Sequence, residues 1–325
     1  MSIRIALNGF GRIGRTILRQ LLAGRDGLEL VLINDIEPLE TCAYLFAYDS
    51  VFGPYPGTVE AGREALVING APIRFTAAPD LSTLDLSGVD VVLECTGLAG
   101  KRMVAERGLA AGARRVLVSG PSDEADATVV LGANEAELAA QPIISNASCT
   151  TNALAPLLKL LDDSFGVEAG QMTTVHCYTG SQPTVDAPRG VPERSRAAAL
   201  STVPTTTSAA RQIERVLPHL AGRVDARAIR VPTASVSSID LTISTRAPTT
   251  PEAVNALFAK ASGSLIGLEH APLVSSDLRG RPESIIVMGP ETSVTHGLTR
   301  VFGWYDNEWG FSARMLDMAV RMGAS

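Results

Sequence analysis

The sequence IRIALNGFGRIGRTILRQLL, residues 3–22, decides the fold of the N-terminal part of the chain. Its first residues alternate as in a strand, and Ile13, Ile17, Leu18 and Leu21 recur at helical spacing. Between the strand and the helix lies G-x-G-x-x-G, whose glycines allow a tight turn and the close approach of a pyrophosphate to backbone N–H groups. The segment therefore predicts a dinucleotide-binding unit, with these cofactor-binding candidates: Asn8, Gly9, Phe10, Gly11, Arg12, Ile13 and Gly14.

A second predicted strand, from Leu28 to Asn34, ends at Asp35. This aspartate follows Gly14 by 21 residues, where an acid can accept a hydrogen bond from the adenosine ribose of NAD. An aspartate after a strand is also a common turn or cap residue, so both roles stay open for Asp35. Asn34 joins the candidates for cofactor binding.

Further along, apolar runs and turn signals alternate. Asn69-Gly70 between two apolar runs predicts a hairpin over residues 63–77, and residues 90–95 and 115–119 predict buried parallel strands. The pattern predicts an α/β fold with a doubly wound parallel sheet of the Rossmann type. After residue 148 the predicted strands become longer, which indicates a second, α+β domain with a mixed or mostly antiparallel sheet.

The octapeptide Ser-Asn-Ala-Ser-Cys-Thr-Thr-Asn, residues 145–152, lies between an apolar strand pattern and a helical pattern. This places Cys149 near a helix start, with Thr150 or Thr151 as the predicted N-cap, where unpaired N–H groups and the helix dipole favour a thiolate. His176, on the alternating segment 172–176, is the candidate partner. A lone cysteine more often fills the core, and that alternative is kept for Cys42, Cys95 and Cys177.

The octapeptide closely resembles the active-site segment of phosphorylating glyceraldehyde-3-phosphate dehydrogenases. Four more blocks resemble this family in the same order: NGFGRIGR at 8–15, YDSV at 48–51, RVPT at 230–233 and WYDNEWG at 304–310. The resemblance implies an NAD-binding domain over 1–148, a catalytic domain over 149–308, and a C-terminal helix over 309–325 that returns to the first domain. It also implies a homotetramer in which the long loop at 179–201 lies at a subunit interface.

The resemblance assigns further site residues. Thr96, Gly97, Ser119 and Asn307 would border the nicotinamide. Thr179 and Arg230, with Ser181 and Arg194 or Arg196, would hold the phosphate of the substrate, and the attacking phosphate would meet Ser148, Thr150, Thr207 and Ser208. Hydroxyls, helix starts and arginines are phosphate-binding groups. Simple helix capping by Thr207 and Ser208, and ion pairs or solvation for the arginines, are the alternatives.

The implied reaction is the NAD-dependent oxidative phosphorylation of glyceraldehyde 3-phosphate through a thiohemiacetal and a thioester on Cys149, as in glycolysis. The nearest alternative is an erythrose-4-phosphate dehydrogenase, which Phe311 favours because this position usually holds tyrosine in the family. A non-catalytic NAD-binding regulator is a third possibility, because a fold does not imply a function.

The composition narrows the partners, the metal sites and the cellular locations that we expect for this protein. The net charge of −6 without a basic block disfavours nucleic acid as a main partner. Four cysteines without paired spacing favour a reducing compartment, and four unclustered histidines predict no metal site. No signal peptide is visible and no apolar run approaches the roughly 20 residues needed to span a membrane, so we expect a cytoplasmic enzyme.

Overall fold

A computed structural model describes residues 2–324, and the chain divides into two compact units. The first unit comprises the chain up to Val129, Glu135–Ala147 and the segment from Ser312 onward. The second unit comprises Val130–Asn134 and Ser148–Phe311. The sequence places the main boundary one residue later, after Ser148.

The first unit begins with the strand and the helix on either side of the glycine-rich loop. Its elements are β1 Ile3–Asn8, α1 Arg12–Leu22, β2 Leu28–Asn34, α2 Leu39–Ala47, β3 Val59–Ala61, β4 Ala65–Ile68, β5 Ala71–Thr76, β6 Val91–Glu94, α3 Arg102–Ala110, β7 Arg115–Val118, β8 Ala127–Thr128 and β9 Ile143–Ser145.

Within the described residues these strands form a sheet in the order β3-β4-β5-β2-β1-β6-β7-β9-β8. The pairs from β5 to β8 are parallel, and β3, β4 and β5 pair antiparallel. β6 and β7 are buried along their whole length, as expected for strands covered on both faces. The order around β1 is that of a Rossmann sheet, which confirms the predicted fold class.

The predicted hairpin is confirmed at β4 and β5. Asn69 and Gly70 have φ values of 50° and 80°, so both lie in the left-handed region that a two-residue hairpin turn requires. This conformation explains why Asn-Gly stands between the two strands.

The second unit starts with a long helix and is built on a mixed sheet. Its elements are α4 Cys149–Phe165, β10 Val167–Cys177, β11 Val203–Thr206, α5 Ala209–Val216, β12 Val224–Val231, β13 Ser237–Thr245, α6 Pro251–Ala261, β14 Ile266–Glu269, β15 Ile285–Met288, β16 Ser293–Thr295 and β17 Leu298–Tyr305.

In the described chain the second sheet runs β11-β12-β10-β13-β17-β15-β14, with β16 paired to β17. β10 pairs parallel with β12 and antiparallel with β13, and β13 pairs antiparallel with β17. The predicted mixed sheet is therefore confirmed. One helical turn at Glu193–Ser195 interrupts the long loop that follows β10.

The last helix, α7 Trp309–Ala324, belongs to the first unit from Ser312 onward. Arg25 pairs with Asp317 and donates to the carbonyl of Ala313 at 3.1 Å, and the buried Arg115 donates to the carbonyl of Met322 at 2.9 Å. These contacts hold α7 against the Rossmann unit. Among residues 2–324, no helix is both long and apolar enough to cross a membrane.

Candidate active site

Cys149 is the first residue of α4. Ala147 adopts a left-handed conformation with φ 55°, and Ser148 then returns to extended geometry as the N-cap. The Ser148 hydroxyl accepts a hydrogen bond from the N–H of Thr151 at 3.0 Å. The predicted N-cap at Thr150 or Thr151 is therefore wrong, because the turn at Ala147 starts the helix earlier and places Cys149 itself in the first turn.

His176 faces this thiol. The Cys149 Sγ atom lies 3.6 Å from His176 Nε2, and His176 Nδ1 lies 2.7 Å from the carbonyl oxygen of Cys177. We assign the proton to Nδ1, because a carbonyl can only accept. Nε2 is then an acceptor directed at the thiol, which is the arrangement needed to activate a nucleophile.

The register of the sheet places Arg230 next to this pair. His176 and Arg230 are partners across β10 and β12, as are Thr174 and Ala228 two residues earlier. Because side chains alternate along a strand, residues at this spacing share one face of the sheet. Arg230 Nη1 lies 3.1 Å from His176 Nδ1 and donates to the Cys177 carbonyl at 3.0 Å.

The protonation of the pair follows from burial. Burial, with the charge of Arg230, lowers the pKa of His176 to about 4, so the imidazole is neutral at pH 7. Burial raises the pKa of the Cys149 thiol, although Arg230, the Thr150 hydroxyl and the N–H groups of the helix start oppose this. The N–H groups at the helix start therefore lower the pKa in the expected direction, but burial has the larger effect and the net change is upward. A neutral thiol facing a neutral imidazole is set for proton transfer.

The pair opens into a cavity of about 590 Å³ within the second unit. It is lined by Ser148, Cys149, Thr150, Thr174, His176, Arg194, Thr206, Thr207, Ser208, Arg211, Ala228 and Arg230. Three of these residues are arginines and six carry hydroxyl groups, and the described lining includes no carboxylate. Such a surface suits a phosphate group.

Most of the predicted phosphate-binding residues meet at this cavity. Thr179 is outside the lining but accepts a hydrogen bond from Arg230 Nη1 at 3.4 Å, and its hydroxyl lies 2.9 Å from that of Ser181. Arg194 lines the cavity and donates to the Thr205 hydroxyl at 2.7 Å. Arg196 is not brought to the cavity: its guanidinium pairs with Asp186 at 2.9 Å on an exposed part of the loop. Of the two arginines proposed for the substrate, the geometry favours Arg194.

Sequence reasoning gave no role to Tyr305, Thr174 or Arg211. The Tyr305 hydroxyl lies 2.9 Å from the hydroxyls of both Thr150 and Thr174, and its ring packs edge-on against that of His176. Thr174 could have been found because it precedes His176 by two residues on a strand. Arg211 could have been found because it follows Ser208 by three residues on a predicted helix. Tyr305 is distant from both threonines in sequence, and only the folded chain reveals its role.

The glycine-rich loop can hold an anionic cofactor. A Cβ atom on Gly9, whose φ is 93°, would lie 2.6 Å from the backbone of Cys95 and Thr96, and one on Gly14 would lie 2.3 Å from the carbonyl of Gly9. Gly11, the N-cap of α1, has open space where a Cβ would point. The first turn of α1 contains no acidic residue. Close packing at Gly9 and Gly14, with open space at Gly11, fits a pyrophosphate at the helix start.

Asp35 closes this loop. Its carboxylate accepts hydrogen bonds from the N–H groups of Phe10 and, at 2.9 Å, Glu37. Asp35 is therefore a turn residue and lies beside the glycine loop, so the two roles left open by the sequence are compatible.

The other candidates on the first sheet have structural partners. Asn8 donates to Glu94 and accepts from Asn34, and Arg12 pairs with Asp49. At the end of β6, Thr96 donates to Glu94, and Gly97 follows with φ 77°. Ser119 follows β7 and donates its N–H to the carbonyl of Glu94 at 3.0 Å. Asn8, Asn34, Thr96, Gly97 and Ser119 lie at or just after the carboxyl ends of parallel strands, where such sheets bind ligands, and Arg12 begins α1.

Asn307 belongs to the second unit and is nearly buried. Its Oδ1 atom accepts hydrogen bonds from the thiol of Cys177 at 3.2 Å and the hydroxyl of Ser237 at 3.4 Å. Two donors on one oxygen fix the side chain, which leaves the amide N–H groups for another partner.

The remaining cysteines differ from Cys149. Burial raises the pKa of Cys42 to about 11 and those of Cys95 and Cys177 to about 12. None of these three thiols lies beside a histidine in the described contacts. Within residues 2–324, no three His, Cys, Asp or Glu side chains are grouped so that they could hold a metal ion.

A Rossmann unit with an open glycine loop, joined to a unit with a Cys–His pair in a cationic cavity, defines a nicotinamide-dependent dehydrogenase with a cysteine nucleophile. Residues 3–102 match the NAD binding domain and residues 148–307 the C-terminal domain of glyceraldehyde 3-phosphate dehydrogenase. The chain therefore belongs to the glyceraldehyde-3-phosphate dehydrogenase family.

Bacterial relatives carry this name over their full length. The chain is 48% identical to the glyceraldehyde-3-phosphate dehydrogenase of Xanthobacter flavus and 47% identical to that of Cereibacter sphaeroides, with 99% of each chain covered. It is 45% identical to that of Zymomonas mobilis, again with 99% of both chains covered.

Proposed function

We propose that this protein is an NAD-dependent dehydrogenase that oxidises glyceraldehyde 3-phosphate and transfers the acyl group to inorganic phosphate, giving 1,3-bisphosphoglycerate. The observation that carries the proposal is the Cys149–His176 pair at 3.6 Å in a cavity lined by arginines and hydroxyls. The names of the relatives favour glyceraldehyde 3-phosphate over the erythrose 4-phosphate alternative.

The reaction begins with proton transfer from Cys149 to His176 Nε2. The sulfur attacks the aldehyde carbon and forms a thiohemiacetal, whose oxygen takes up the proton. His176 then removes that hydroxyl proton as general base while the carbon loses a hydride. NAD, when bound, supplies the hydride acceptor.

The thioester left on Cys149 is resolved by phosphate. An oxygen of inorganic phosphate attacks the carbonyl carbon, the C–S bond breaks, and the Cys149 thiolate leaves with its charge stabilised by Arg230 and the start of α4. The net reaction converts the aldehyde, phosphate and NAD⁺ to acyl phosphate, NADH and a proton. Separating oxidation from acyl transfer conserves the oxidation energy in the product.

Two anion-binding regions support this scheme. Arg230 with Thr179, assisted by Ser181 and Arg194, would bind the phosphate of the triose. Ser148, Thr150, Thr207 and Ser208 would bind the attacking phosphate, and the first two stand at the start of α4. Ser208 has no side-chain cap bond, so its hydroxyl remains suited to an anion.

The cofactor would be held by residues 8–14 together with Asn34 and Asp35. Asp35 would repel a 2′-phosphate, which favours NAD over NADP. Thr96, Gly97, Ser119 and Asn307 would border the nicotinamide. For Asn307 the support is its fixed amide, which can donate to a carboxamide oxygen.

The proposal also covers the oligomeric state of the protein and its place in the cell. The loop at 179–201 exposes apolar side chains, including Val185 and Leu200 at 73% and 84% exposure, which suits an interface. We infer a homotetramer, which light scattering tests by its mass. Four free cysteines suit a reducing compartment, so we place the reaction in the cytoplasm. We place it in glycolysis on the resemblance to the family alone.

One experiment decides among the candidate functions. Initial rates of NADH formation are measured with glyceraldehyde 3-phosphate and with erythrose 4-phosphate, each with and without phosphate. We expect strong phosphate dependence and faster turnover of the triose. Turnover of erythrose 4-phosphate that is independent of phosphate would show that water resolves the thioester, and NAD binding without turnover of either aldehyde would indicate a regulator.

A further inference from the structure

The cavity beside Cys149 contains a third arginine, and neither the reaction scheme nor the sequence motifs assign it a role. Arg211 lines the cavity from the first turn of α5, whereas Arg194 comes from the loop and Arg230 from β12. Its side chain is exposed, and it follows Ser208 by three residues.

All three arginines make contacts within the protein. Arg230 donates to the Cys177 carbonyl and to Thr179, Arg194 donates to the Thr205 hydroxyl and to the Thr206 carbonyl at 2.8 Å, and Arg211 also has a partner. A guanidinium has five N–H donors in a planar fork, so an exposed one that makes a contact within the protein can still donate to a phosphate.

The position of Arg211 indicates which phosphate it meets. On a helix, residues three apart lie on the same side, so Arg211 and Ser208 face the cavity together, next to Thr207. Arg230 stands on the sheet beside His176 and Thr179. The start of α5 is therefore the part of the cavity proposed above for the attacking phosphate.

The charge of the two phosphates favours a further cation at this place. Each phosphate group carries roughly −1.5 to −2 charges at pH 7, so the two phosphates present during acyl transfer bring about −3 to −4 into one cavity. The chain as a whole has a net charge of −6, and the described lining supplies no carboxylate but three guanidinium groups. A local cationic surface on an acidic protein concentrates anions where they react.

We propose that Arg211 is a further substrate-binding residue, specific for the inorganic phosphate that attacks the thioester and for the acyl phosphate of the product. This inference rests on the proposed function. It assigns to Arg211 the affinity for the second substrate, and to Arg230 that for the aldehyde.

The test compares Arg211→Gln, Arg211→Lys and the control Arg215→Gln, which removes the same charge from α5 at a residue outside the cavity lining. Initial rates are measured against phosphate and against glyceraldehyde 3-phosphate. We expect Arg211→Gln to raise the KM for phosphate about 10-fold or more, the loss typical of a hydrogen bond to a charged group. The KM for the aldehyde and kcat at saturating phosphate should change less than about 2-fold, because the phosphate of the aldehyde is assigned to Arg230 and a saturating phosphate concentration compensates for weaker phosphate binding. Arg211→Lys should recover part of the loss, because lysine keeps the charge without the fork.

An unchanged KM for phosphate, an equal rise in the KM for the aldehyde, or the same shift in Arg215→Gln would overturn the assignment. A second measurement does not depend on turnover: titration of each protein with inorganic phosphate by calorimetry. Weaker binding to Arg211→Gln than to wild type supports the assignment, and equal binding contradicts it. A wild-type enzyme whose turnover ignores phosphate would refute the proposed function, while the calorimetric comparison would still decide on Arg211.

Discussion

Two helix starts, those of α1 and α4, carry the proposed chemistry of this protein. They share a framework but differ in the residue at the N-cap. Both α1 and α4 follow a buried parallel strand, and both present free backbone N–H groups to a ligand. At α1 the N-cap is Gly11, which has no side chain and leaves open space. At α4 the N-cap is Ser148, whose hydroxyl accepts a hydrogen bond from Thr151, and the next residue is the proposed nucleophile, Cys149.

The difference follows from what each helix start must do. A cofactor phosphate needs close approach to the backbone, so any Cβ atom is an obstacle. A nucleophile must be held in one orientation, so capping by a side chain is useful there. A strand followed by a helix start is therefore a shared framework, and the residues at the N-cap and in the first turn decide what it does.

The largest effect is expected at the reactive helix start. Cys149→Ser should abolish aldehyde oxidation, because a serine hydroxyl beside a neutral histidine is a far weaker nucleophile than a thiolate. NAD affinity, measured by fluorescence titration, should stay within about 2-fold of wild type, because the proposed site for the cofactor phosphates is at the start of α1.

Labelling with iodoacetamide and mass spectrometry provides the control. Cys149 should react first, since it alone combines partial exposure, a helix start and a histidine partner. Preferential labelling of Cys42, Cys95 or Cys177 would contradict the assignment of the nucleophile.

Removal of the base should have the second-largest effect. His176→Asn should lower kcat by about 10²–10⁴-fold, the usual contribution of a positioned general base. Steady-state rates at saturating substrates measure the loss, and a variant with more than about half of the wild-type kcat would exclude His176 as the base.

The same variant tests the protonation state. The pKa of His176 is about 4 in the folded protein against 6.5 for the free group, so the unfolded chain binds more protons between these pH values and stability falls as the pH drops through them. Wild type should lose up to about 3 kcal/mol of stability from this group between pH 7 and pH 4, and His176→Asn should lack that component. Urea unfolding at both pH values gives the comparison, and parallel pH profiles would show that His176 does not titrate in this way.

At the start of α1, Gly11→Ala should raise the Kd for NAD about 10-fold or more, because the added methyl group would keep the pyrophosphate away from the N–H groups of the helix. The open space at Gly11 means that folding should be preserved, with little change in Tm. Gly14→Ala is the contrasting variant: its Cβ would lie 2.3 Å from the Gly9 carbonyl, so it should lose stability as well. Tm and Kd values measured together separate the two effects, and unchanged NAD affinity in Gly11→Ala would remove α1 from the cofactor site.

The smallest effect concerns selectivity. Asp35→Ala should reduce the ratio of kcat/KM for NAD over NADP about 10-fold, since the carboxylate no longer accepts from the ribose or repels a 2′-phosphate. Ile36→Ala, a change at an exposed neighbour, is the control. If the ratio stays constant in Asp35→Ala, Asp35 acts only as a turn residue.

Local pattern alone predicted much of the fold. The strand–glycine–helix segment, the Asn-Gly hairpin and the fully apolar strands were recognisable because each depends on residues near one another in sequence. The same holds for Cys149 at a helix start, although the N-cap was misplaced, since a left-handed alanine at 147 has no sequence signal.

The tertiary structure decided how the active site is assembled. The alignment of His176 with Arg230 depends on the pairing of β10 with β12, and the contacts of Tyr305 with Thr150 and Thr174 join segments more than a hundred residues apart. The placement of Arg196 on Asp186 rather than in the cavity, and of Arg211 inside it, likewise depends on how the chain packs. Sequence determined which residues could do the chemistry. Packing determined which of them meet, and burial determined that the thiol and the imidazole start out neutral, because desolvation depends on every neighbour that excludes water.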